Sequence, residues 1–95
     1  MPYTIITTAY ARRDIQDAID WENMRKPGLG NHFLQDLEKK IYTVANQPFI
    51  YPIRYNNIRC AVTSIFSYFI HFNIDEIKQE IYILRILHTS REPIW

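Results

Sequence analysis

Apolar positions recur at helical spacing through the first half of the chain and at alternating spacing through the second. Residues 3–7, "YTIIT", read as a short strand of aromatic and β-branched residues. Thr8 follows as a helix N-cap, because its hydroxyl can accept a first-turn N–H. Ala11, Ile15, Ala18, Ile19 and Met24 then mark one helix face, with Arg12, Arg13, Asp14, Gln16 and Asp17 on the other. Trp21 reads as packing between helices. Pro27 and Gly28 break this helix, and a second begins near Leu29. Its stripe of Phe33, Leu34, Leu37, Ile41, Val44 and Ala45 follows i, i+3, i+4, i+7 spacing. Asp36 and Lys40 are placed to pair on its solvent side. Asn46 and Pro48 close it. The connection "KPGLG" is short enough to make the two helices an αα-hairpin.

From residue 51 onward the pattern is β. "YPIRY" suits an edge strand or a strand start because of its Pro. Asn56-Asn57 forms a hairpin turn, since Asn tolerates positive φ. "IRCAVT" follows, then a turn at Ser64–Ser67. "YFIHFNI" alternates strictly, Asp75–Gln79 turns the chain again, and "EIYILRILH" is the last strand. The order β-α-α-β-β-β-β gives an α+β fold. Its N-terminal strand and helical hairpin pack on one face of a twisted, largely antiparallel sheet.

Strand alternation assigns the faces. Ile70, Phe72 and Ile74 point to the helices, leaving Phe69, His71 and Asn73 on the open side. In the same way Ile53, Ile58, Cys60, Val62, Tyr82, Leu84 and Ile86 point inward. Arg54, Arg59, Ala61, Thr63, Ile81, Ile83, Arg85 and Leu87 point outward, with His88 and Arg91 at the rim. An open sheet carrying Arg54, Arg59, Arg85 and His71 suits a phosphate backbone or an acidic peptide. Phe69, Ile83 and Leu87 would add exposed apolar surface, the mark of a partner site. His88, at a strand end near Arg85 and Arg91, is the best placed imidazole for acid–base work.

Composition narrows the function classes. A chain of 95 residues points to one domain spanning 1–95. A hydrophobic share of 47% excludes intrinsic disorder. Net charge is +1, which argues against nucleic-acid binding through a global field. Two glycines leave no phosphate-binding loop. Cys60 is the single cysteine and reads as buried core, which fits a reducing compartment. No histidine pair has metal-ligand spacing, so no metal or other cofactor is expected. With neither a signal-peptide pattern nor about 20 consecutive apolar residues, a cytoplasmic protein without a membrane anchor is expected.

The runs "TTAYARRDIQDAIDW", "KPGLGNHFLQDLEKKI", "NQPFIYPIRYNNIRCAVTSIFSYFIHFNID" and "IYILRILHTSREPIW" together resemble the RelE/ParE superfamily of bacterial toxins over nearly the whole chain. The resemblance implies the toxin of a type II toxin–antitoxin pair. Its cognate antitoxin would wrap it with an extended or helical segment, by groove filling or strand addition. Arg54, Phe69, His71, Ile83, Leu87 and Arg91 are the residues expected to meet antitoxin or target. RelE-like members cleave mRNA on the ribosome. In that case Arg59 and Arg85 would hold the phosphate, and His88 would be the acid or base. ParE-like members poison DNA gyrase and need no such constellation. The chain lacks the terminal Tyr of many nuclease members, and "LRILHTSREPIW" looks more like the ParE branch, which is favoured here. A family member that only binds a partner, without toxicity, is the third alternative. Trp95 is expected to pack back on the body.

Overall fold

A computed structural model describes residues 2–90 of the chain. The elements are β1 (Thr4–Thr7), α1 (Ala9–Arg25), α2 (Leu29–Asn46), β2 (Ile53–Tyr55), β3 (Ile58–Val62), β4 (Tyr68–Asp75) and β5 (Glu80–His88). A single 3₁₀ turn, Pro48–Ile50, precedes β2 and shortens the strand expected at "YPIRY". The sheet order is β1-β5-β4-β3-β2, with β1 parallel to β5 and the other pairs antiparallel. The α+β order expected from the sequence is therefore present.

The local chemistry explains the boundaries. The Thr8 hydroxyl accepts the Ala11 N–H at 3.2 Å and donates to the Ile83 carbonyl at 2.9 Å, so one side chain caps α1 and ties it to β5. Gly28 sits at φ 95°, a left-handed conformation that glycine adopts without steric cost. The Asn23 side chain of α1 then accepts the N–H groups of Gly28 and Gly30, which cap α2 from its neighbour. Asn56 and Asn57 take φ 42° and 62°, as a primed two-residue hairpin turn requires.

The core lies between the helix pair and one sheet face. Ala11 and Ala18 of α1 and Phe33, Leu37 and Val44 of α2 meet Ala61, Ile70, Phe72, Ile81, Ile83 and Ile86. Each fully buried large side chain contributes about 1.5–3 kcal/mol of apolar transfer.

Several expected placements require correction. In β5, Ile81 and Ile83 are fully buried in the core, where the outward side was expected. The reason is a bulge: His71 pairs with Arg85 but Phe72 pairs with Ile83, so Leu84 is an extra residue that shifts the parity. In β3 the parity is reversed throughout. Ala61 faces the helices opposite Ile70, and Cys60 lies with His71 on the far face. Ile53, expected inward, is 52% exposed, because β2 lies at the sheet edge. Asp36, expected on the solvent side with Lys40, is buried and accepts the N–H groups of Ile65 and Phe66, each at 2.9 Å. Trp21 and Met24 are exposed, so neither packs between the helices.

Candidate functional site

β4 serves as a ruler for the three residues expected to do chemistry. Arg59 stands opposite Phe72, Arg85 opposite His71, and His88 opposite Tyr68. They are not brought to one point. Arg59 shares the helix side with Phe72, contrary to the outward assignment. Its Nη1 donates to the Tyr51 carbonyl at 2.6 Å, and its guanidinium lies 5.2 Å from the Phe49 ring centroid. Arg85 reaches the edge of β5 just past the end of β1, whose pairing stops at Thr7 with Ile83. There it makes a two-point bond to Asp14 of α1, Nε to Oδ2 at 2.7 Å and Nη2 to Oδ1 at 3.1 Å. The same Asp14 oxygen accepts the Ile86 N–H at 3.0 Å. The side-chain hydrogen bond from Arg85 to Asp14, with the carboxylate charge, raises the pKa of Arg85, so it stays cationic. His88 uses Nδ1 to accept the Ser90 N–H at 3.1 Å and stands edge-on to Tyr68, with ring centroids 5.0 Å apart.

On the far face of the sheet, His71 is buried as well as outward-pointing. Its exposure is 1%, and its Nδ1 lies 3.0 Å from the Tyr55 hydroxyl and 3.5 Å from the Cys60 sulfur. The Phe69 ring stands edge-on to it at 6.2 Å. Burial pushes the His71 pKa down, the nearby Arg85 adds to that push, and Asp14 opposes it. Burial also pushes the Cys60 thiol up to about 11, against a small opposing effect of Arg54. A neutral thiol beside a neutral imidazole is a packing arrangement; the thiolate needed for nucleophilic chemistry is not formed. Of the other expected contact residues, Arg54 is exposed and Phe69 is half-buried. Leu87 is 9% exposed, and Ile83 belongs to the core and offers a partner no surface. Arg91 and Trp95 lie outside the described residues.

A groove of about 610 Å³ runs between α1 and the end of β5. Asp14, Asp17 and Trp21 form one wall, and Tyr68, Leu87 and His88 stand on the other side. Beneath it Glu22, 1% exposed, accepts the Tyr68 hydroxyl at 3.0 Å and Arg25 Nη1 at 2.6 Å. Asp14 and Glu22 were missed as site residues. Glu22 continues the series of Ala11, Ile15 and Ala18, and Asp14, assigned from the sequence to the polar face, instead borders that stripe and turns to β5. A carboxylate on an apolar stripe is a readable sign that something across the interface will pair with it. Among the described residues no three His, Cys, Asp or Glu side chains gather where they could hold a metal ion. No described helix is long and apolar enough to cross a membrane.

A family model described as the ParE toxin of the type II toxin–antitoxin system parDE matches residues 5–93. Two solved structures share the fold. One is a chain of the toxin–antitoxin complex RelBE2 from Mycobacterium tuberculosis. It is 23% identical at a TM-score of 0.67, over 93% of this chain and 99% of that one. The other is a chain of the chromosomal ParDE toxin–antitoxin system from P. aeruginosa. It is 17% identical at a TM-score of 0.80, over 93% of this chain and 97% of that one. At these identities the likeness is one of fold. No curated protein matches the chain.

Proposed function

The chain belongs to the ParE toxin family of type II toxin–antitoxin systems, and from that premise we propose that it arrests growth by poisoning DNA gyrase when no antitoxin holds it. The observation that carries gyrase over RNA is the dispersal of Arg59, Arg85 and His88. Cleaving a phosphodiester by its ribose 2′-hydroxyl needs a base, an acid and a cation around one phosphate. Here Arg59 pairs with Phe72 on the helix side, while Arg85 pairs with His71 and turns its guanidinium over the strand edge to Asp14 of α1. Arg59 is spent on a backbone carbonyl and Arg85 on a carboxylate. His88 lies on the helix side beside Tyr68. Gripping a protein requires no convergence of this kind.

In this reading the antitoxin occupies the groove between α1 and β5. Beyond Ile83 the β5 edge has no described strand beside it, and Trp21 offers a 57% exposed aromatic wall. An apolar segment laid there would bury that ring and stabilise the toxin by mass action. Incubating purified protein with gyrase and supercoiled plasmid tests the proposal. Linear DNA should accumulate after detergent and protease treatment, and antitoxin should suppress it. Its absence at saturating toxin, with translated mRNA cut instead, would overturn the gyrase reading.

A further inference from the structure

Beside its buried line of Ala11, Ala18 and Glu22, α1 carries a second stripe. Tyr10, Asp14, Asp17, Trp21 and Met24 recur at i, i+4, i+7, i+11 and i+14, so they stand in one row along the helix. Tyr10, Trp21 and Met24 are 72%, 57% and 80% exposed. Asp14, Asp17 and Trp21 of this row form the α1 wall of the groove. The charges around that wall are largely matched: Asp14 holds Arg85, and Arg25 lies 2.6 Å from Glu22. Asp17 differs, being exposed and in no ion pair among the described residues. Arg13, one turn earlier, does not pair with it, and a cation placed N-terminal to its carboxylate is the weaker order at this spacing.

The structure assigns to Asp17 and Trp21 the recognition of a basic side chain on the antitoxin. A Lys or Arg of the segment in the groove would lay its stem on the Trp21 ring and pair its head with the Asp17 carboxylate. The inference rests on the antitoxin reading above and deepens it, by adding a charge to a segment so far described only as apolar. Asp17 and Trp21 are four residues apart, roughly 6 Å along the helix axis. One long side chain reaches both, since its methylenes cover apolar surface while its head stays polar. Arg fits better than Lys, because its planar guanidinium stacks on a ring and forks onto a carboxylate. Tyr10 and Met24, at the ends of the row, take apolar side chains of the same segment. A phosphate backbone suits this wall poorly, because the unmatched charge has the wrong sign for it. Asp17 is also the midpoint of the row, so a second copy laid antiparallel and centred on it would set Asp17 against its twin, and like charges repel.

Asp17→Lys tests the inference, with Glu38→Lys as the control. Both residues are exposed and both substitutions change the net charge equally, but Glu38 stands on α2 and does not line the groove. Each variant is first checked for the wild-type melting temperature, and Asp17→Asn takes the place of Asp17→Lys should the latter melt low. The full-length toxin is then titrated calorimetrically with its full-length antitoxin. Asp17→Lys and Trp21→Ala should each weaken binding by about tenfold or more, and Glu38→Lys should bind as wild type does. A single Lys→Glu or Arg→Glu change in the antitoxin should restore affinity for Asp17→Lys while losing it for the wild-type toxin. Wild-type affinity of Asp17→Lys overturns the inference, even with Trp21→Ala weakened, because the groove is then read by apolar contact alone. Equal weakening by Glu38→Lys overturns it by assigning the effect to net charge. A dimer of the toxin alone that Trp21→Ala dissociates gives the row to a second copy and also overturns it. Those three outcomes leave the antitoxin reading standing, whereas a wild-type toxin that does not bind its antitoxin sinks that reading and this inference together.

Discussion

Arg85 and His71 face each other across β4 and β5, and they resolve their proximity in opposite ways. Arg85 keeps its charge by leaning on Asp14 at the strand edge, whereas His71 gives its charge up. A histidine whose folded pKa lies below its unfolded value binds fewer protons in the native state. Its contribution to stability is therefore complete above the ordinary imidazole pKa of about 6.5 and is lost as pH falls below that value toward the folded pKa. Melting temperatures should thus drop on acidification below about pH 6.5, and His71→Gln should flatten that part of the profile. An identical acid limb in the variant would assign the drop to other groups. The outward direction of His71 was legible, because "YFIHFNI" alternates without ambiguity. Its burial was not, since the cover comes from Tyr55, Cys60 and Phe69, the first two on other strands.

Among elements, the helices were legible to within a residue, because Thr8, Pro27, Gly28 and Pro48 punctuate a strong apolar stripe. Faces of β3 and β5 were not legible, for two different reasons. "IRCAV" places Cys60, Ala61 and Val62 in a row, so either parity buries something apolar. "IYILRIL" is nearly continuous, and counting back from Ile86 gives the wrong side once the bulge at Leu84 inserts a residue. Asp36 shows the same limit for a single side chain. Spacing paired it with Lys40, but its carboxylate instead anchors the turn between β3 and β4 to α2 through two N–H groups. Asp36→Ala leaves those donors unmatched and should destabilise the fold by about 1–3 kcal/mol in urea titration. Asp36→Asn should cost less, because its amide oxygen still accepts. A loss below about 0.5 kcal/mol for the alanine variant, the range of an ordinary surface change, would show that this anchor does not matter.

For the whole molecule, the groove between α1 and the end of β5, lined by Asp17, Trp21, Arg25 and His88, is the place proposed above to hold the antitoxin. The sequence resemblance to a toxin superfamily anticipated the fold and the family. It also implied residue roles, and the structure gives the positions of those residues: Ile83 lies in the core, Arg59 lies under the sheet with Tyr51 and Phe49, and Arg85 is bound to Asp14. A protein that works by gripping others, without cutting RNA, should leave a specific trace in the cell. Tightly controlled expression without the antitoxin is the most direct test, with the DNA-damage response and protein synthesis followed together. Growth should stop with the damage response induced first and translation continuing. Immediate translation arrest with cleaved transcripts and no damage response would contradict the account.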